Sequence, residues 1–159
     1  TGLLDKIKAH KKGQLHRAFS IFVFNNQGEL LIQKRSKHKM LWPEFWSNTV
    51  CSHPLPKEEI IDAAQRRLKE EFGFNTELKE EYKFQYFAKY KDKGIEHELC
   101  HVLIGNYNGE VKPDKKEISE YKWVNTSEIK KEIKNNPEEF TPWFKKEFRE
   151  LEKRGKFND

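Results

Sequence analysis

Four apolar residues at every fourth position, Ile60, Ala64, Leu68 and Phe72, constrain this chain more than any other feature. Side chains four apart share one face of an α-helix, so Lys57 to Phe72 is predicted to lay an apolar stripe on a core. Glu58 and Glu59 are expected in its first turn, where acids favour the helix dipole, and Gly73 is the expected stop. Around this helix the pattern changes to that of strands. His16 to Phe24 is apolar and aromatic, Asn25-Asn26-Gln27-Gly28 marks a turn, and Glu29 to Lys34 resumes, which is a hairpin signal. Leu78 to Tyr90, Glu96 to Asn106 and Tyr121 to Val124 also read as strands. Ser127 to Asn135 and Thr141 to Arg154 read as helices, the second with Thr141 as N-cap and Pro142 at its first position. Strands, helix, strands and helices, with no repeat or linker, predict one α+β domain over residues 1–159.

Composition narrows the partners. The 31 basic and 26 acidic residues give a net charge of +5, spread along the chain. Such a surface suits an anionic small molecule and is too dispersed for nucleic acid. No apolar run is long enough to span a bilayer, and no secretory core region is present. Two cysteines, Cys51 and Cys100, make no disulfide scaffold, so reduced thiols in a cytoplasmic setting are expected. Aromatics make up 13% of the chain, enough to build a core and to line an apolar pocket.

Chemistry concentrates in two short runs, Asn48-Thr49-Val50-Cys51-Ser52-His53-Pro54 and Glu96-His97-Glu98. In extended backbone, residues two apart point the same way. Cys51 and His53 then share a face, as do Glu96 and Glu98. One run offers a thiol beside a metal-ligand type and the other offers paired carboxylates. That combination points to a metal-assisted acid/base site rather than a packed core.

The helix ends Arg66-Arg67-Leu68-Lys69-Glu70-Glu71-Phe72-Gly73-Phe74, and with Glu58 it resembles a Nudix signature. There the carboxylates of one helix hold a divalent cation that bridges a diphosphate. Two positions depart. Ser52 stands where the signature has Gly, and Arg67 replaces a metal-binding Glu of the hydrolases. Read from the residues alone, Arg67 and Glu71 could equally be an i,i+4 ion pair on a solvated helix, contributing roughly a few tenths of a kcal/mol.

Taken with the Cys51 run, the chain resembles the type I isopentenyl-diphosphate isomerases, a branch of the Nudix-fold superfamily. The similarity runs through Leu15 to Ser20, Trp42-Pro43, Trp46 to Cys51, the helix, Glu96 to Glu98 and Thr141-Pro142-Trp143. It implies a Nudix-like fold with mixed sheets packed by helices. It also implies interconversion of isopentenyl and dimethylallyl diphosphates through a carbocation, and a segment before Thr1. The residues matching the family's metal ligands are His10, within segment 1–14, and His16, His53, Glu96 and Glu98, for Mg2+, Mn2+ or Zn2+. Glu71 matches a carboxylate that shares a second Mg2+ with the substrate's diphosphate.

The same resemblance makes Cys51 and Glu98 the acid/base pair, with the direction of each transfer open. A thiol is mostly neutral at pH 7 and a carboxylate ionised, which suits opposite roles. Tyr86 matches a tyrosine near Glu98 that relays or orients a proton, or else it is an aromatic strand residue. Trp143 matches a tryptophan that stabilises the cation, or it anchors a helix start. Arg35, Lys39, Arg67 and Lys6 match the basic residues that hold the diphosphate. Cys100 reads as an inert core thiol, and His38, His97 and His101 as surface or satisfied residues. A Nudix pyrophosphohydrolase is the alternative enzyme, and a non-catalytic anion-binding module the alternative outside enzymes.

Overall fold

The computed structural model describes residues 16–157 of the 159. In chain order the elements are β1 (His16–Phe24), β2 (Glu29–Arg35), β3 (Trp46–Ser47), β4 (Val50–Ser52), α1 (Ile60–Phe72), β5 (Leu78–Tyr90), β6 (Gly94–Asn106), β7 (Ile118–Asn125), α2 (Thr126–Asn135) and α3 (Pro142–Lys153). All seven strands join one mixed sheet. Strand β1 runs parallel to β6 from His16 opposite Glu98 to Phe24 opposite Asn106. On its other side it meets β2 near Phe24 and β4 antiparallel, with Ser20 opposite Cys51.

Helices cover both faces, so β1 is apolar on both. Phe19, Ile21 and Val23 pack with Ala63, Ala64, Leu68 and Phe72 of α1. Phe22 and Phe24 pack on the opposite side with Trp143, Phe144, Phe148 and Leu151 of α3. Burying side chains of this size contributes about 1.5–3 kcal/mol each, upper figures that chain entropy offsets.

The expected helix from Lys57 begins later, at Ile60, and Glu58 and Glu59 are not in its first turn. Lys57 takes a left-handed conformation at φ 68°, which turns the chain before the helix. Glu59 is the N-cap with extended backbone, and the acid of the first turn is Asp62. Glu58 folds back instead. Its carboxylate accepts from the Leu55 amide at 2.8 Å and from Arg66 twice at 2.9 Å. Gly73 ends the helix as expected, at φ 76° with its amide on the Lys69 carbonyl.

Thr141 and Pro142 open α3 as anticipated, but the threonine hydroxyl does not cap it. It pairs with the Ser47 hydroxyl at 2.9 Å, tying the helix start to β3. Strands β3 and β4 are too short to leave a periodic trace. Buried side chains do the joining there. Thr49 takes the Val23 amide at 2.9 Å and donates to the Leu31 carbonyl at 2.6 Å, bridging β1 and β2 where they part. Asn48 donates to the Ile21 and Val50 carbonyls.

Candidate active site

Strand register brings the functional side chains together. His16 opens β1 and faces Glu98 of β6, while His53 follows β4 directly. The His16 and His53 Nε2 atoms lie 2.7 Å apart. Glu98 Oε1 lies 2.8 Å from the second and 3.5 Å from the first. All three ligand atoms fall within 4.8 Å of one another. Adjacent ligands of an octahedral ion bonded at about 2.1 Å stand about 3 Å apart, so this donor set fits a divalent cation. Glu96 contributes its backbone to β6. His10 and Lys6 lie outside the described residues.

Cys51 looks into the same space from β4. Its partner across the strands is Ser20, which shares a face of β1 with His16. Burial pushes the thiol up to about 12, partly countered by Arg35 and reinforced by Glu71, Glu147 and Glu98. The group is therefore a neutral thiol throughout the physiological range. Arg35 Nη1 reaches the sulfur at 3.7 Å, and its other donors go to the Trp42 and Leu41 carbonyls.

Aromatic residues pack in one cluster with Cys51. Trp143 is 7% exposed, and its indole N–H donates to Asn48 Oδ1 at 3.2 Å. Tyr86, opposite Glu98 in the β5–β6 ladder, meets that indole edge-on at 6.3 Å. The Arg35 guanidinium lies 5.2 Å from the Trp143 ring centre. Trp42 meets Trp143 edge-on, with ring centres 5.2 Å apart.

Beyond Arg35 the polar groups form a second cluster. Arg67 donates to Glu70 and, at 2.7 Å, to Glu71, so the i,i+4 pair is present, though not on a solvated face. Glu71 is almost fully buried and also accepts from Gln33 at 3.0 Å. Lys39 pairs with Glu117, whose other oxygen lies 3.5 Å from Arg67. Burial alone would raise the Glu117 carboxyl, yet these two cations hold it below the usual range. Arg67 and Lys39 are thus joined through one acid that the sequence reading did not single out, since Glu117 sits in an unpatterned acidic and basic run. Cys100 is buried, and His101 pairs with Glu80.

A NUDIX domain model matches residues 14–144. Isopentenyl-diphosphate Delta-isomerase 1 of Photorhabdus laumondii is 48% identical over 94% of this chain and 87% of its own length. Isopentenyl-diphosphate Delta-isomerase of Burkholderia multivorans is 42% identical over 90% of this chain and 81% of its own length. This chain belongs to the isopentenyl-diphosphate Delta-isomerase family. Its backbone also superposes on a MutT protein from Methanosarcina mazei, with TM-score 0.73 at 19% identity, covering 89% of this chain and 96% of that one. That likeness shows the Nudix fold. Within the family's fold, Cys51 and the His16–His53–Glu98 group occupy the side of the sheet covered by α3, whereas Arg67 and Glu71 come from α1 on the other side.

Proposed function

We propose that this chain interconverts isopentenyl diphosphate and dimethylallyl diphosphate by adding a proton to one carbon and removing one from another. The observation that carries this reading is that strand register puts Cys51 and Glu98 on one face of the sheet, with Cys51 packed in the same cluster as Trp143. An alkene shift needs a donor and an acceptor on either side of the double bond, shielded from water. Cys51 is held as a thiol by burial, which keeps a proton on it. Glu98 supplies the partner carboxylate, and Tyr86 in the neighbouring strand orients the transfer. The Trp143 face stabilises the tertiary cation without trapping it, at roughly 2 kcal/mol or more when desolvated.

His16, His53 and Glu98, with His10 and Glu96, are the residues proposed to hold Mg2+, Mn2+ or Zn2+. Bound there, such an ion supplies fixed positive charge that orients Glu98 and tunes its basicity. Arg35, Lys39, Arg67 and Lys6 are assigned to the diphosphate, and Glu71 to a second Mg2+ shared with it. For Lys39 and Arg67 this means exchanging carboxylate partners for phosphate oxygens. The substrate is a small isoprenoid diphosphate rather than nucleic acid or a membrane. Two free thiols accord with a cytoplasmic setting.

Proton NMR of isopentenyl diphosphate in deuterated water, with enzyme and divalent metal, tests the reading. The expected result is the dimethylallyl spectrum with solvent deuterium in the product and no phosphate released. Release of phosphate without the double-bond shift would instead favour the pyrophosphohydrolase alternative.

A further inference from the structure

One acid outside the reacting group sits between two of the bases assigned to the diphosphate. Glu117 immediately precedes β7, and its carbonyl accepts the Ser36 amide at 3.0 Å. The Lys39 amide in turn donates to the Ser36 carbonyl at 3.1 Å, and Ile118 pairs with Arg35 of β2. The Glu117 backbone is thereby fixed against the segment that carries Arg35 and Lys39. Its side chain then divides. One carboxylate oxygen pairs with Lys39, and the other stands 3.5 Å from Arg67.

The bases differ in how they are held. Arg35 gives its donors to the Trp42 and Leu41 carbonyls, whereas Lys39 and Arg67 are held by acids. Glu70 and Glu71 reach Arg67 only, so among the described residues Glu117 is the anion that the two share. The side chains of Lys39, Glu117 and Arg67 are 29%, 27% and 20% exposed, so water screens the group only in part. A carboxylate so placed does what a bound phosphate oxygen would do, neutralising both cations and accepting their N–H groups. Resting on the isomerase reading above, we propose that Glu117 is a competing counter-anion that reclaims Lys39 and Arg67 as the diphosphate leaves, and so speeds product release.

The use of such a competitor follows from the reaction. A double-bond shift leaves the diphosphate unaltered, so affinity for that group adds equally to substrate, transition state and product. Uniform binding of this kind lowers KM without raising kcat, and in excess it holds the product back. Glu117 opposes the excess. A departing diphosphate would otherwise leave two partly buried cations without a partner, and the carboxylate takes its place at both. Ionic contacts are exchanged in this step and no covalent bond changes.

Glu117→Gln keeps the size of the side chain and removes its charge. Binding of inorganic diphosphate to wild type and variant, by calorimetry with Mg2+ at one fixed salt concentration, reads the effect without turnover. The variant should bind about tenfold more tightly, because one repelling charge has gone from beside the anion. Most of that change should appear as slower dissociation, followed by displacement kinetics. A role confined to positioning Lys39 and Arg67 predicts the opposite sign, so weaker binding overturns the proposal, as does unchanged affinity. Tightening that arises from faster association alone overturns it too, since release is then untouched. Should Glu117→Gln fail to fold, Glu117→Ala is read for the same tightening, and its absence there is equally decisive. Arg67→Ala separates the two readings. If it binds inorganic diphosphate as tightly as wild type does, the diphosphate assignment fails and the proposal with it. If it binds weakly while Glu117→Gln shows no tightening, only the role of Glu117 is lost.

Discussion

At the scale of single residues the site depends on a thiol kept from ionising. An ordinary cysteine titrates near 8.5, and burial moves Cys51 to about 12. Its proton therefore stays in place at neutral pH. Cys51→Ala should lower the isomerisation rate by about a thousandfold or more, followed by NMR. Removing one sulfur from a half-buried position should cost only about 1 kcal/mol in stability, read from urea denaturation. Two acids separate by location. Glu98→Gln should lower both turnover and bound divalent metal, measured by elemental analysis, because Glu98 lies with His16 and His53. Glu71→Gln should leave that metal content unchanged and weaken binding of inorganic diphosphate, since Glu71 contacts Arg67 and Gln33 instead. Cys51, His53 and Glu98 were legible because strand alternation places residue types on faces without tertiary knowledge. Glu117 was not, for only the fold brings it between Lys39 and Arg67. Glu147 left a trace that could have been read, as a charge within the apolar stripe Trp143, Phe144, Phe148 and Leu151.

At the scale of elements, long periodic segments were legible and short ones were not. Strands β1 and β5 fall on the residues expected, α2, α3 and β6 differ by one or two at their starts, and β7 begins at Ile118 rather than at the expected Tyr121. The start of α1 was misplaced because Glu58 prefers the Arg66 guanidinium to a place in the first turn. Strands β3 and β4 exist through Thr49 and Asn48, whose contacts to β1 and β2 are non-local. The end of α1 rests on one residue. Gly73 holds φ 76°, and a methyl group there would stand 3.0 Å from the Lys112 side chain and 3.2 Å from its carbonyl oxygen. Gly73→Ala meets both a left-handed backbone and this close approach, so it should destabilise by about 1–2 kcal/mol. Denaturant titration checks the loss. Metal content of the folded variant should be unchanged, because His16 and Glu98 lie on β1 and β6 and His53 directly follows β4, away from that turn.

For the whole molecule, the fully buried carboxyl of Glu147 on α3, whose Oε2 accepts from the Cys100 thiol at 3.4 Å, makes stability depend on pH. The unfolded chain releases the Glu147 proton above about 4.5, whereas the folded protein keeps it until about 8. Between those values the folded state binds more protons than the unfolded one, so unfolding becomes easier as pH rises. The stabilisation is complete below the lower value, declines across the window, and levels off above the higher one. A shift of this size corresponds to about 5 kcal/mol at most. Cys51 and Tyr82 are also raised, but they titrate at higher pH and leave this window to Glu147. Groups common to wild type and Glu147→Gln cancel in the comparison of the two proteins. Chemical denaturation of both at pH 5 and pH 8 should therefore show the wild type losing more stability between the two than the variant does. Equal losses would mean that Glu147 titrates as an ordinary carboxyl, and the core would then have to admit water beside it.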